Sequence, residues 1–138
     1  MQNRQCKMQN EKKTAKRRKG DDISERLLDF SVRIGKVVDA LPETRLGRHV
    51  AGQLVRCGTS PYPNYEKARA AESPADFIHK LRICLKELRE SRSWLNLIAR
   101  SQMLMEHRIA DLADESEQLA NIIGASIVTA ARNGGRSR

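Results

Sequence analysis

Apolar residues recur in this sequence at alternating spacings of four and three, and this rhythm constrains the fold more than any other feature. Because an α-helix turns once every 3.6 residues, such spacing places the apolar side chains on one helical face. The first segment with this pattern carries Ile23, Leu27, Phe30, Ile34, Val37 and Leu41. Another carries Phe77, Leu81, Cys84, Leu88, Ser91, Leu95 and Ile98. A third, from about 105 to 131, carries Ile109, Leu112, Ser116, Leu119, Ile123 and Ser126.

A further helical segment follows Thr44 but is interrupted by two prolines in QLVRCGTSPYPNYEKA, residues 53–68. Proline inside a helix costs about 3 kcal/mol or more, whereas the first turn of a helix needs no N–H partner. If Ser60 caps a new segment, Pro61 is its first residue and Pro63 its third. We therefore expect a kinked second helix, 44–58 and then 61–71. A linker between domains is the alternative, but PNYEKARAA is too short to found one.

The sequence also predicts where the helices begin and end. Asp22 with Glu25 is typical of a capping box at the first helix, and Pro42 ends that helix. Ser73 followed by Pro74 is a strong helix start. Gly134 and Gly135 are expected to end the last helix. Aromatic residues make up only 4% of the chain and no strand pattern is present, so we predict an all-α fold, an up-down four-helix bundle.

The charge is distributed unevenly. The 138 residues carry a net charge of +9. Residues 1–20 hold eight Lys or Arg and one Glu, residues 132–138 add three arginines, and 21–131 are close to neutral at −1. We expect a disordered basic N-terminal tail over 1–20, the bundle over 21–131 and a disordered C-terminal tail over 132–138. No long apolar run or signal peptide is recognisable, which predicts a cytoplasmic protein.

Catalytic chemistry finds little support in the sequence. None of the common nucleotide-binding, hydrolase or metalloprotease motifs occurs, and we expect neither enzyme activity nor a cofactor. A metal-dependent enzyme stays open as an alternative, because Glu87 and Glu90 lie one turn apart as in di-iron bundles, but no Glu-x-x-His accompanies them. We expect those carboxylates to form ion pairs with Lys86, Arg89 and Arg92. The isolated cysteines and histidines predict buried or free side chains rather than ligands: Cys6, Cys57, Cys84, His49, His79 and His107.

The basic segment KKTAKRRK is the strongest chemical signal. Six cations within eight residues attract phosphate through counterion release without sequence preference. A solubilising or vector-derived extension, membrane attachment and a nuclear address are the alternatives. Tyr62 and Tyr65 could stack on bases or fill the helix kink, which we favour. The predicted nucleic-acid-binding residues are Lys12, Lys13, Lys16, Arg17, Arg18 and Lys19, with Arg45, Arg48 and Arg56 as a weaker folded surface.

Three stretches carry a family resemblance: GRHVAGQLVRCGTS, NYEKA and ADFIHKLRICLKELRESRSWL. Together they resemble the small bacterial four-helix-bundle proteins encoded in intervening sequences of 23S ribosomal RNA genes, over about residues 21–131. The prolines in SPYPN and the long basic N-terminus depart from the usual pattern of that family.

The resemblance implies a cytoplasmic, non-catalytic bundle that assembles into a ring, commonly a homopentamer, with a suspected role in RNA binding. A related bundle is the accessory protein of diversity-generating retroelements, where it binds nucleic acid and a reverse transcriptase. Two functions are therefore expected to compete: an oligomeric RNA-binding or RNA-scaffolding protein, and a protein–protein adaptor such as a reverse transcriptase accessory subunit.

Overall fold

A computed structural model describes residues 16–136, with side chains described through residue 134. Within that range the chain is helical and contains no strand, which confirms the all-α prediction. The helices are α1 (Asp21–Ala40), α2 (Arg45–Thr59), α3 (Pro61–Arg69), α4 (Pro74–Arg100) and α5 (Glu106–Arg136). Helices α2 and α3 are the two halves of the bent second helix, so the bundle has four columns.

The columns follow one another around the bundle in chain order. Helix α1 packs against the α2–α3 column and against α5, and α4 packs against the same two neighbours. Among the described residues, α1 makes no close backbone contact with α4, and α5 makes none with α2 or α3. Each helix therefore has two neighbours and one diagonal partner, the arrangement of an up-down bundle.

The apolar stripes predicted from the sequence meet in one core. Their central residues have no exposed surface, as for Leu27, Ile34 and Leu88, while Ile23 and Val37 at the edges are only partly buried. Two small polar residues in the stripes, Ser91 and Ser116, are also buried. Each donates its hydroxyl to a backbone carbonyl of its own helix, which satisfies the buried group.

Local chemistry sets the starts of α2 and α4, and the start at Ser73 is as predicted. The Thr44 hydroxyl accepts a hydrogen bond from the Gly47 N–H at 3.0 Å, and Ser73 accepts one from the Asp76 N–H at 3.1 Å. A Cβ at Gly47 would stand 2.0 Å from the Pro42 carbonyl oxygen, so the tight entry to α2 requires glycine.

The bend at 60 differs from the prediction in one respect. Pro61 is the first residue of α3, as expected, but Ser60 makes no side-chain cap. Its backbone is itself helical, with φ −73° and ψ −36°, and Asn64 donates to its carbonyl and hydroxyl oxygens at 3.0 Å. The first half of the second helix nevertheless ends at Thr59 and the second half begins at Pro61, so the helix is kinked and restarted as predicted.

Two other boundary predictions are wrong. Helix α1 begins at Asp21 after Gly20, whose φ of +94° is left-handed, and Asp22 does not cap it. Helix α5 continues through Gly134 to Arg136, so the predicted boundary at 131 is too early. Glycine only weakens a helix by about 1 kcal/mol relative to alanine, which does not suffice to end one. Residues 1–15 and 137–138 lie outside the described residues, so the predictions made for them stay predictions.

Candidate nucleic-acid interface

The basic N-terminal segment approaches the bundle at the start of α1. Lys12 and Lys13 lie outside the described residues. Residues 16–19 have exposed side chains and precede α1 without helical structure. Four consecutive cations thus project from one end of the bundle.

Helix α3 holds the base of this segment in place. The Tyr65 hydroxyl donates to the Gly20 carbonyl at 3.4 Å, and Arg69 donates to the Asp21 carboxylate at 2.5 Å and to the Lys19 carbonyl at 3.5 Å. A Cβ at Gly20 would stand 2.7 Å from the Tyr65 hydroxyl oxygen. Glycine here permits both the left-handed turn and the close approach of the tyrosine.

Asp21 ties the same end together electrostatically. The Arg69 guanidinium, and then the backbone N–H of Arg18 at 2.6 Å, hold the pKa of the Asp21 carboxyl below its usual value. The next carboxylate, Asp22, pairs with Arg17. Nearby, Ser24 donates to the Glu66 carboxylate, a second link between α1 and α3.

The four described cations of this segment therefore differ in availability. Arg17 pairs with Asp22, whereas the side chains of Lys16, Arg18 and Lys19 make no ion pair with a described residue. Three exposed cations thus remain without an ion pair among the described residues and are available for phosphate contacts.

The predicted arginines of α2 do not form one free surface. Arg56 donates to the Glu90 carboxylate at 2.7 Å and lies 3.4 Å from Glu87, both on α4. Arg48 donates to the Glu43 carbonyl at 2.8 Å. Arg45 and Arg48 are exposed without an ion pair to a described residue, whereas Arg56 acts as a bridge between helices.

The carboxylates Glu87 and Glu90 have partners other than those expected. Sequence spacing predicted Lys86, Arg89 and Arg92, but both carboxylates turn toward Arg56 of α2. Arg92 instead pairs with Glu117 of α5 at 3.1 Å. The exposed cations of α4 are thereby left without their predicted partners, a surface that sequence reasoning missed.

The two tyrosines pack inside the bend, as favoured. Tyr65 is 8% exposed and belongs to the core, and Tyr62 packs partly buried against it. Burial raises the pKa of the Tyr65 hydroxyl. Neither ring is presented as a platform for bases.

The buried thiols confirm the interpretation of Cys57 and Cys84 as structural residues; both are free. Burial raises the pKa of Cys57 to about 11 and that of Cys84 to about 12, so both thiols stay protonated at neutral pH. In residues 16–136, no group of three His, Cys, Asp or Glu side chains is arranged to hold a metal ion. No helix there is long and apolar enough to cross a membrane.

Comparisons with known proteins place this geometry in a family. The model of the 23S rRNA-intervening sequence protein family matches residues 21–125. The crystal structure at 1.70 Å resolution of a protein of unknown function, from the S23 ribosomal protein family of Bacteroides thetaiotaomicron VPI-5482, superposes with a TM-score of 0.72. It is 30% identical, and the match covers 76% of this chain and 97% of that one. No curated protein matches. This chain therefore belongs to the 23S rRNA-intervening sequence protein family.

Proposed function

We propose that this protein is a non-catalytic, homo-oligomeric RNA-binding or RNA-scaffolding protein of the cytoplasm. The observation that carries the proposal is the cluster of free cations held beside α3: Lys16, Arg18 and Lys19 are exposed and lack ion pairs with described residues. Lys12 and Lys13 extend the same cluster in the sequence. Phosphate backbones bind such clusters without sequence preference.

The test compares RNA binding of the full chain with that of a variant in which the six cations of KKTAKRRK are replaced by Gln. Each neutralised phosphate of a single strand contributes roughly 0.7 to the salt dependence of binding. The substitution is therefore expected to lower the slope of log K against log salt by up to about 4. Structured RNA and duplex DNA are compared by fluorescence anisotropy.

A truncation sharpens this experiment. It begins at Lys16 and not after residue 20, because Gly20 and the Arg18 backbone hold the start of α1. The truncated chain keeps the four cations that the structure describes and is expected to retain part of the affinity. RNA affinity that is unchanged in the six-Gln variant would overturn the proposal for this segment.

Exposed apolar side chains support the homo-oligomer. Leu28 and Val32 lie one turn apart on α1 and are 43% and 53% exposed. Val55 of α2 is 40% exposed and lies three residues before Gly58, which faces Ile34 of α1. A ring would bury such surface and gather several basic segments on one particle, which increases avidity.

Light scattering tests assembly directly. The chain has a mass of 15.6 kDa, and a pentamer would have five times that mass. Val32→Glu and Val55→Glu are expected to lower the measured mass if this surface is the interface, with Val128→Glu on α5 as the matched exposed control. A wild-type monomer at micromolar concentration would contradict the assembly.

A protein–protein adaptor is the second candidate, because the same apolar surface would suit a foreign partner such as a reverse transcriptase. It predicts weak RNA binding by the isolated protein and a stable complex with a protein from the native host. A pull-down that recovers such a partner, together with salt-insensitive or absent RNA binding, would favour the adaptor.

A further inference from the structure

A second cationic surface lies on the outer face of α4. Arg82, Lys86 and Arg89 are all exposed, and their spacings of four and three place them on one side of the helix. At a rise of 1.5 Å per residue they span about 10 Å along the axis. We call these three residues the α4 stripe.

No carboxylate on α4 is both within reach of the stripe and free to neutralise it. The positions three and four residues from Arg82 and from Arg89 carry no acid. Lys86 has Glu90 four residues on, but that carboxylate accepts a hydrogen bond from Arg56 at 2.7 Å. None of the three stripe residues makes an ion pair with a described residue.

Helix α5, one of the two neighbours of α4, brings no acid either. The ion pair between Arg92 and Glu117 sets α4 and α5 side by side, and the short turn between them makes them antiparallel. The part of α5 beside the stripe therefore follows Glu117. From Gln118 to Ala131 that helix contains no charged residue at all, and the next charge is that of Arg132, another cation.

Helix α1, diagonally across the bundle from α4, is too far away to neutralise the stripe. Helix α1 carries several acids, but among the described residues it makes no close backbone contact with α4. On α5, a Cβ at Gly124 would meet nothing within 4 Å, so the surface beside the stripe is open. The stripe is thus a row of cations on one side of α4, and the segment of α5 beside it is uncharged.

We propose that the α4 stripe binds the phosphate backbone of RNA, as a contact separate from the N-terminal segment. The inference rests on the proposed RNA-binding function. Two guanidinium groups and one ammonium, held at fixed spacing, contact successive phosphates, and arginine can do so with paired hydrogen bonds. Because no base edge is contacted, the stripe adds affinity without sequence preference. The folded bundle thereby orients RNA that the N-terminal segment has captured.

The test uses the full chain with Arg82→Gln, Lys86→Gln and Arg89→Gln combined. A matched triple, Arg33→Gln, Lys36→Gln and Lys67→Gln, removes the same charge from exposed positions on α1 and α3. Binding of a structured RNA hairpin is measured by anisotropy across a salt series. The stripe variant is expected to lose about 2 from the salt slope, since three phosphates contribute roughly 0.7 each, with at least about tenfold weaker binding at low salt. The matched triple variant should keep most of the wild-type salt slope and most of the wild-type affinity.

A charge-conserving variant separates charge from structure. Arg82→Lys with Arg89→Lys is expected to keep the salt slope while weakening binding only a few-fold, because the ammonium group lacks the paired donors. Circular dichroism and light scattering confirm that all variants keep the fold and the assembly state of the wild type.

The outcomes distinguish the inference from the proposed function. Equal losses in the two triples would overturn the stripe as a site and leave general RNA binding intact. Wild-type chain that binds no RNA at low salt would overturn both. Binding of the stripe to vesicles containing phosphatidylserine, or to an acidic protein, in place of RNA would also overturn the inference.

Discussion

Helices α2 and α4 carry similar rows of exposed basic residues, yet the two rows have opposite surroundings. On α2, Arg56 reaches two carboxylates of α4, and Arg48 donates to a backbone carbonyl. On α4, the stripe of Arg82, Lys86 and Arg89 has no unpaired acid within reach on its own helix. Residues 118–131 of α5 carry no charge either. On α2 one arginine of the three bridges to a neighbouring helix, whereas all three cations of the α4 stripe are left to an external anion.

The difference shows that the number of cations on a helix does not indicate how many can bind phosphate. Availability depends on which carboxylates the neighbouring helix presents across the interface. Because Glu90 turns toward Arg56, it is lost to Lys86, the one stripe residue that has an acid four residues away. An ion pair between α2 and α4 thus leaves Lys86 as free as Arg82 and Arg89.

The largest expected effect concerns the core-facing sides of α2 and α4, which are alike because each carries one buried cysteine. In a Cys6→Ser background, alkylation of the buried Cys57 and Cys84 by iodoacetamide at pH 8 should be at least about 100-fold slower than in denaturant. Labelling then requires opening of the bundle, which is rare, and the raised pKa values reduce the thiolate fraction further. Mass spectrometry measures the labelling of each cysteine. Rapid labelling of only one of them would show that the inner faces of α2 and α4 are not equally closed to solvent.

The same thiols give a pH dependence. Their pKa values in the folded protein, about 11 and about 12, exceed the ordinary value of 9.0, so the unfolded chain loses its thiol protons first. The stability that they contribute is complete below pH 9 and falls as pH rises toward 11. Urea unfolding from pH 7 to 11 should show a steeper loss for the wild type than for the variant with Cys57→Ala and Cys84→Ala.

Two glycines of α2 lie in opposite surroundings: Gly58 packs against α1, and Gly52 faces open space. A Cβ at Gly58 would lie 2.6 Å from Cγ2 of the buried Ile34, whereas one at Gly52 would meet nothing within 4 Å. Gly58→Ala should lower the free energy of unfolding by about 1–2 kcal/mol through overpacking. Gly52→Ala should raise it by about 0.5–1 kcal/mol through helix propensity. Changes of the same sign in urea unfolding would contradict this fit.

Removing the bridge between the two helices should have a smaller effect. Arg56→Gln is expected to lower the free energy of unfolding by about 1 kcal/mol, because the pair is partly exposed and solvent weakens it. A double-mutant cycle with Glu90→Gln measures the coupling, and Arg45→Gln is the control on the same helix. Equal effects of Arg45 and Arg56 would remove the contrast between bridging and free cations.

The smallest effect tests the absence of acids around the stripe. Lys86→Glu places a carboxylate between Arg82 and Arg89, so two repulsive neighbours become attractive ones, against one new repulsion with Glu90 four residues on. The free energy of unfolding should rise by about 0.5 kcal/mol, as expected for helical ion pairs at these spacings, while RNA binding falls. A destabilised variant would mean that Lys86 already has a favourable partner.

The sequence predicted the helices and the core because their signals are local. The apolar rhythm from Ile23 to Leu41 depends only on the helical repeat, and Thr44 and Ser73 cap their helices through donors three residues away. The bend at Pro61 was predictable for the same reason. The start at Asp21 and the end at Arg136 were not predictable from local signals. The start depends on a left-handed Gly20 that Tyr65 contacts. The end depends on a long helix that tolerates Gly134.

The partners of the charged residues could not be obtained in this way. Within one helix, Glu90 has Lys86 and Arg89 nearby, and nothing in that spacing points to Arg56, which is 34 residues away. The choice depends on the register in which α2 and α4 pack, and register is set by how buried side chains such as Cys57 and Ser91 fit together. The sequence by itself determined a four-column helical bundle with a basic N-terminal segment. Only the tertiary structure decided which cations are neutralised, because distances across an interface follow from packing and not from spacing along the chain.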